Sequence, residues 1–149
     1  MLTKKAKYGV KAMLHLARLD YGQSAFVATI AERNDLPKKF LDAILTDLRN
    51  AGLLLSKKGR NGGYTLAKRP EDISMGAIIR ALDGPLAPIA CASRTSYVPC
   101  SDCGPIEQCE IRLMMLDVRE AIANVLDHRT LAELRDARGD LMASFVYQI

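Results

Sequence analysis

A chain of 149 residues with 49% hydrophobic residues and a mean hydropathy of +0.01 can bury one serviceable core without covalent staples. The sequence holds no apolar run near the roughly 18 residues that a membrane span needs. Its net charge of +4 joins two unlike parts: residues 1–70 carry 14 Lys and Arg against five Asp and Glu, and residues 71–149 carry seven against 12. The first part is built to meet a polyanion, or it presents a lysine-rich solvated face; charge alone leaves both open.

The opening "MLTKKAKYGV" has neither the apolar stretch nor the small-residue cleavage site of a signal peptide. The expected compartment is the cytoplasm, where clustered cysteines are more often metal ligands or redox switches than structural disulfides.

Thr3 is placed to cap a helix in which Ala6, Val10, Met13, Leu14 and Ala17 follow a 3.6-residue period, running to about Asp20. After the turn "YGQS" and a short extended "AFV", Thr29 and Glu32 have capping-box spacing for a short helix ending near Asn34. Pro37 suits the start of a second amphipathic helix, carried by Phe40, Leu41, Ile44, Leu45 and Leu48 and stopped by Gly52. The connection "NDLP" makes the two a helix-turn-helix. "LLLS" then reads as a strand, "KKGRNGG" as a basic turn whose three glycines can take positive φ, and "YTLA" as the returning strand. Helix-turn-helix followed at once by a basic hairpin is the order of a winged helix.

Beyond Pro70, Ser74 can cap a helix through "MGAIIRALDG". From Ile111, the residues Met114, Met115, Val118, Ala121, Ile122 and Val125 form a stripe along a helix to about Asp127. Thr130 and Glu133 form a capping box for a last helix near "LAELRD". The expected fold class is mainly α with a small β hairpin: a winged helix-turn-helix over residues 1–70, a connecting helix over 71–90, a cysteine loop over 91–110, and a dimerisation helix with a C-terminal helix over 111–149.

In such a fold Lys38 and Lys39 stand at the start of the recognition helix, where side chains and helix-terminal amides can approach phosphates or base edges. Asp42, one turn further, repels phosphate but can accept from a cytosine amine; its bland reading is a solvated partner of Lys38 or Lys39. Lys57, Lys58, Arg60 and Asn61 on the wing tip suit backbone or minor-groove contact, against the alternative of an exposed basic hairpin without a role.

All four cysteines lie in "CASRTSYVPCSDCGPIEQC", with spacing C-x8-C-x2-C-x5-C at Cys91, Cys100, Cys103 and Cys109. Four soft thiolates match the ligand count of zinc and of iron-sulfur clusters. The paired knuckles of a zinc ribbon are absent, because only Cys100 and Cys103 have C-x2-C spacing. A helix beginning near Pro105 would place Cys109 at a helix N-terminus, where the dipole favours a thiolate. Enzymatic disulfide exchange lacks its strand-helix context, and inert buried thiols are the weakest explanation of four cysteines gathered in a loop with Gly and Pro.

The segments "LTKKAKYGVKAMLHLA", "IAERNDLPKKFLDAILTDLRNAGLL" and "KGRNGGYTLAKRPEDISMGAIIRALDG", with the cysteines downstream, closely resemble the Rrf2 family of bacterial winged-helix regulators as far as about residue 137. The wing pattern is the most specific part. The resemblance implies a homodimer with the long helix crossing to its partner, a palindromic double-stranded DNA operator, and DNA binding modulated by a 2Fe-2S or 4Fe-4S iron-sulfur cluster, which an aerobically prepared sample can lack. Cys91, Cys103 and Cys109 correspond to three family ligand positions. Where iron-sulfur members have a ligand histidine three residues past the last cysteine, this chain has Arg112. It also has the additional Cys100, the expected fourth ligand, although some relatives recruit a residue from the partner's first helix. His15 is expected at a helix surface or interface and His128 at a helix end.

The expected function is a transcriptional regulator of the repressing kind, not an enzyme, whose operator affinity responds to a cluster held by the cysteine loop. Rivals are a regulator of the same fold that uses thiol oxidation, with Cys100 and Cys103 the nearest pair in sequence, one stabilised by structural zinc, and an iron-sulfur or dithiol electron carrier with no DNA role.

Overall fold

A computed structural model of the chain describes residues 2–146, with side chains described through residue 139. Helix α1 spans Lys4–Ala17, and the Thr3 hydroxyl accepts from the Ala6 N–H at 3.1 Å, satisfying one orphan donor of the first turn. The helix stops three residues short of the expected end, where the Leu19 N–H turns back to the Leu16 carbonyl at 3.2 Å.

The capping box expected at Thr29 and Glu32 does not form. Helix α2, Val27–Asn34, begins three residues earlier, with Phe26 rather than Thr29 at its N-cap and no side-chain cap, so Thr29 lies inside it. The cause is tertiary: Ala25 exchanges backbone hydrogen bonds of 3.0 and 2.9 Å with Tyr64, which holds the chain extended up to the point where the helix starts. Asp35, at φ +52°, closes α2, and α3 follows over Lys38–Asn50 with Pro37 at its N-cap. Leu41, Ile44, Leu45 and Leu48 are buried as their period requires. Phe40 is not: its ring is exposed and meets Tyr8 edge-on at 5.9 Å.

Strands β1 (Leu54–Lys57) and β2 (Gly63–Leu66) pair antiparallel, with Leu54 opposite Leu66 and Lys57 opposite Gly63. Of the three glycines in the turn, Gly59 and Gly63 take positive φ; Gly62 instead provides room, since a Cβ there would lie 2.6 Å from the Lys57 carbonyl. A Cβ on Gly63 would lie 2.2 Å from the Ala25 carbonyl, so the hairpin packs onto the extended segment only with glycine at this place.

A 3-10 turn at Pro70–Asp72 leads to α4, Met75–Asp83, capped by Ser74, whose hydroxyl accepts from the Ala77 N–H at 3.1 Å. Helix α5 occupies Glu110–His128 and α6 Leu131–Val146, the latter much longer than "LAELRD". Between them the expected capping box is present: Thr130 N–H donates to Glu133 at 2.8 Å and Glu133 N–H to the Thr130 hydroxyl at 3.1 Å. The same junction is tied to the start of α4, Met75 N–H donating to the Arg129 carbonyl and Leu131 N–H to Ile73, both at 2.8 Å. The core is centred on α1, α3 and α4, with Met13, Ile30, Leu41, Ile44, Leu45, Leu48, Ile78 and Leu131 fully buried. None of the described helices is long and apolar enough to cross a membrane.

The apolar stripe of α5 resolves into two faces. Met115, Ile122, Ala123 and Leu126 are half-buried or buried against the chain, whereas Ile111, Met114, Val118, Ala121 and Val125 are exposed. The exposed set recurs at spacings of three, four, three and four, the seam of a helix pair.

Candidate functional site

Two regions carry the chemistry, a cysteine pocket and a basic edge. The pocket lies where α4 gives way to α5. All four cysteines line one cavity of about 100 Å³, together with Tyr97, Pro99, Ile106 and Arg112. Cys91 is buried in a 3-10 turn at Ala90–Ala92; Cys100 and Cys103 are exposed, and Cys109 is half-buried. The Sγ atoms of Cys91 and Cys100 are 3.7 Å apart, and those of Cys100 and Cys103 lie within 4.8 Å of each other and of an Asp102 carboxylate oxygen. Cys100 thus stands between its two neighbours.

Helix α5 does not begin near Pro105. A 3-10 turn at Ile106–Gln108 intervenes, and Cys109 is itself the N-cap of α5, its sulfur accepting from the Arg112 N–H at 3.4 Å. A thiolate at this place sits on the positive end of the helix. The Arg112 guanidinium reaches back and donates through Nε to the Cys91 carbonyl at 2.9 Å, so one residue holds both ends of the cysteine segment. Arg94 also joins the segment to α5 through an ion pair with Glu120, which Arg119 shares.

Burial pushes the Cys91 thiol upward, and the adjacent Cys100 sulfur adds to the effect. The Cys100 thiol is also raised, first by its hydrogen bond with Cys103. These thiols resist gathering negative charge side by side, and a cation among them would relieve the cost. The donor set of four sulfurs with an apolar wall therefore fits a thiophilic metal centre such as iron-sulfur or zinc.

The basic edge is formed by α3 and the hairpin. Lys38, Lys39 and Asp42 are exposed on the first turns of α3, and Asp42 forms no ion pair among the described residues. Its partnership with Lys38 or Lys39 is thus not seen. Lys57, Lys58, Arg60 and Asn61 are exposed on the hairpin. Lys57 donates to the Gly22 carbonyl at 3.3 Å, and the Asn61 carbonyl accepts from the Ser24 hydroxyl at 2.7 Å. These bonds pin the hairpin to the loop before α2, and between them runs a groove of about 310 Å³ lined by Gln23, Ser24, Phe26, Lys57, Arg60 and Asn61. Lys58 and Arg60 have no carboxylate partner among the described residues, so their charge faces outward.

The sequence profile of Rrf2, described as an iron-dependent transcriptional regulator, matches residues 2–137. The chain belongs to the Rrf2 family of transcriptional regulators. It is 43% identical over 137 residues to an rrf2-like protein of Rhodobacter capsulatus, covering 90% of this chain and 91% of that one. Among solved structures it is similar to CymR, the global cysteine regulator of Bacillus subtilis, with a TM-score of 0.72, 33% identity, and coverage of 91% of this chain and 96% of that one. It is likewise similar to IscR of T. potens, with a TM-score of 0.69, 33% identity, and coverage of 92% and 88%.

This Rrf2 regulator is thus a DNA-binding winged-helix protein and not an enzyme. Several of its site residues escaped sequence reasoning. Tyr97 and Asp102 join the cysteines only through the path of the loop, although Asp102 sits inside the C-x2-C step and could have been considered a donor. The bond of the Arg112 guanidinium to Cys91 had no signal, because the two are 21 residues apart, whereas that of the Arg112 N–H to Cys109 follows from the helix N-terminus expected there. Neither histidine enters the pocket. His15 lies between α1 and α2, its Nδ1 3.2 Å from the Asn34 amide nitrogen, and His128 ends α5 with Nδ1 2.7 Å from the Asn124 carbonyl oxygen.

Proposed function

We propose that this Rrf2 regulator is a cytoplasmic homodimer that binds a palindromic operator, represses transcription from it, and changes its DNA affinity with the state of an iron-sulfur cluster held by Cys91, Cys100, Cys103 and Cys109. The observation that carries the reading is that all four sulfurs line one pocket at the N-terminus of α5. When bound, such a cluster supplies reversible electron uptake and metal-sulfur bonds open to attack by oxidants.

The protein's own residues do the rest. Lys38 and Lys39 approach base edges and phosphates from the start of α3, Asp42 selects by accepting from a base amine, and Lys57, Lys58, Arg60 and Asn61 hold the flanking backbone. The exposed face of α5, from Ile111 to Val125, pairs with the same face of a second copy. Arg112 and Cys109 fasten the cysteine segment to α5, so tightening or releasing the segment moves the pairing helix relative to the basic edge. Two half-sites must be met about one DNA turn apart or a multiple of it, and a small change in spacing therefore weakens both contacts together.

A second reading is favoured by the 3.7 Å contact of Cys91 and Cys100: an external two-electron oxidant such as a peroxide or a low-molecular-weight disulfide takes two electrons and two protons from these thiols to form a disulfide in place of a cluster, and a thiol reductant reverses it. Anaerobic purification separates the readings, giving a coloured protein with iron and sulfide, a metal-free thiol protein, or a colourless zinc protein. Selection of bound duplexes from a random-sequence pool tests the DNA role. The expected winner is a palindrome whose binding falls steeply with salt; a pool without sequence enrichment contradicts the reading, and so does an electron carrier with no salt-dependent DNA binding.

A further inference from the structure

Helix α3 carries a line of outward residues of which only Lys39 belongs to the basic edge described above. Lys39, Ala43, Thr46 and Asn50 recur at spacings of four, three and four, on the side opposite the buried Leu41, Ile44, Leu45 and Leu48. Lys39, Ala43 and Asn50 are exposed, and Thr46 is half-buried. One flank of the line is held within the protein: Asp47 pairs with Lys5 at 2.7 Å, and the Phe40 ring meets Tyr8 edge-on. The line is polar at its ends and short in its middle. Ala43 offers a single methyl group, and Thr46 donates its hydroxyl to the Asp42 carbonyl at 2.9 Å, so its one donor is closed inside the helix.

A helix approaches base edges most closely where its side chains are short, and the apolar group that a base pair presents in the major groove is the C5-methyl of thymine. An alanine has no atom with which to answer the hydrogen-bonding groups of the other edges. Resting on the DNA reading above, we propose that Ala43 is a specificity-determining residue whose methyl group meets the C5-methyl of one thymine in each half-site. Thr46, next along the line, leaves room for that approach by its small size. Lys39 and Asp42 read neighbouring pairs through hydrogen bonds, the ammonium to guanine acceptors and the carboxylate to a cytosine amine. One position of the half-site is therefore read by apolar contact alone.

The test removes the base methyl and the protein methyl separately and together. Duplexes are selected with the full-length, anaerobically purified protein, and each thymine of one selected half-site is replaced in turn by deoxyuridine, which keeps the base pair and takes away only the C5-methyl. Kd is measured by fluorescence anisotropy for the wild type, Ala43→Gly and Ala43→Ser, with helical content checked by circular dichroism. Any loss of helix stability weakens a variant on both duplexes alike and cancels in its ratio of uracil to thymine Kd. Serine also costs a helix less than glycine does, so one variant stays folded if the other does not.

One uracil position is expected to weaken wild-type binding about fourfold, the effect of one buried methyl group. At the same position the ratio is expected to fall below about twofold in both variants, as that contact is removed from the protein side. An enriched half-site in which no thymine responds to uracil overturns the proposal and leaves sequence-specific DNA binding in place. A uracil effect that persists undiminished in both variants does the same. A pool with no enriched sequence overturns this inference together with the DNA reading on which it rests.

Discussion

His15 is a half-buried imidazole whose charged form the fold resists. Burial first, and then the nearby Arg18 and Arg33, hold it below its ordinary value of 6.5. The Asn34 side-chain amide lies 3.2 Å from Nδ1 and also donates to the Ile30 carbonyl at 2.8 Å, so the neutral ring accepts where a protonated nitrogen could not. With the folded value depressed, the unfolded chain takes up the proton first as pH falls. The stability this group contributes is present above about 6.5 and is lost as pH drops toward the folded value. The urea midpoint of the wild type is expected to fall between pH 7.5 and 5.5, and that of His15→Gln to fall less, as followed by circular dichroism with the slope unchanged. Parallel pH profiles would show that His15 is not the group responsible. At this scale, what could be read from sequence was what acts across one turn: Thr3, Ser74 and the Thr130–Glu133 pair all cap as their spacing suggests. Thr29 misled because a backbone pairing with Tyr64, far along the chain, sets where α2 begins.

The hairpin and α5 are the elements on which the functional account depends. The hairpin was legible because its glycines, its lysines and its alternating apolar residues stand in one continuous stretch. Its docking on Ser24 and Ala25 was only hinted at by the extended "AFV". Charge reversal by Lys58→Glu and Arg60→Glu should weaken binding to the selected duplex and lower the salt slope by about one for each phosphate no longer neutralised. The cluster spectrum should be untouched, and unchanged affinity would count against the hairpin as a DNA-binding element. In α5 the period was plain, but periodicity alone merged two faces: Met115 and Ile122 pack inward, Met114 and Val118 outward. A helix of 19 residues, about 28 Å long, offers a seam that burial of a Val side chain stabilises by about 1.5–3 kcal/mol. Val118→Glu with Val125→Glu is expected to give a folded monomer, with sedimentation mass halved and helical content kept. A dimer that survives both changes would place the interface elsewhere.

Across the whole molecule, the cysteine segment is the connection between α4 and α5. Its start follows α4, its end caps α5, and the Ser74–Thr130 pairing ties the far end of α5 back to the start of α4. In the proposed function, a change in the segment is delivered to two helices that are fixed to each other at their opposite ends. The order of elements and the separation of basic from acidic halves could be read directly from the sequence, since both follow from local pattern and charge. The gathering of Cys91, Cys100, Cys103 and Cys109 into one pocket with Arg112 could not, because it depends on how a loop with little regular structure folds back on α5. The central claim is that the state of this pocket sets DNA affinity. It is tested most directly by fluorescence anisotropy of the selected palindromic duplex, titrated anaerobically with the cluster-loaded protein and with the same preparation after removal of its iron. The account predicts a change of about tenfold or more in Kd, equivalent to about 1.4 kcal/mol, that vanishes in Cys100→Ser; equal affinity of the loaded and stripped proteins would contradict it.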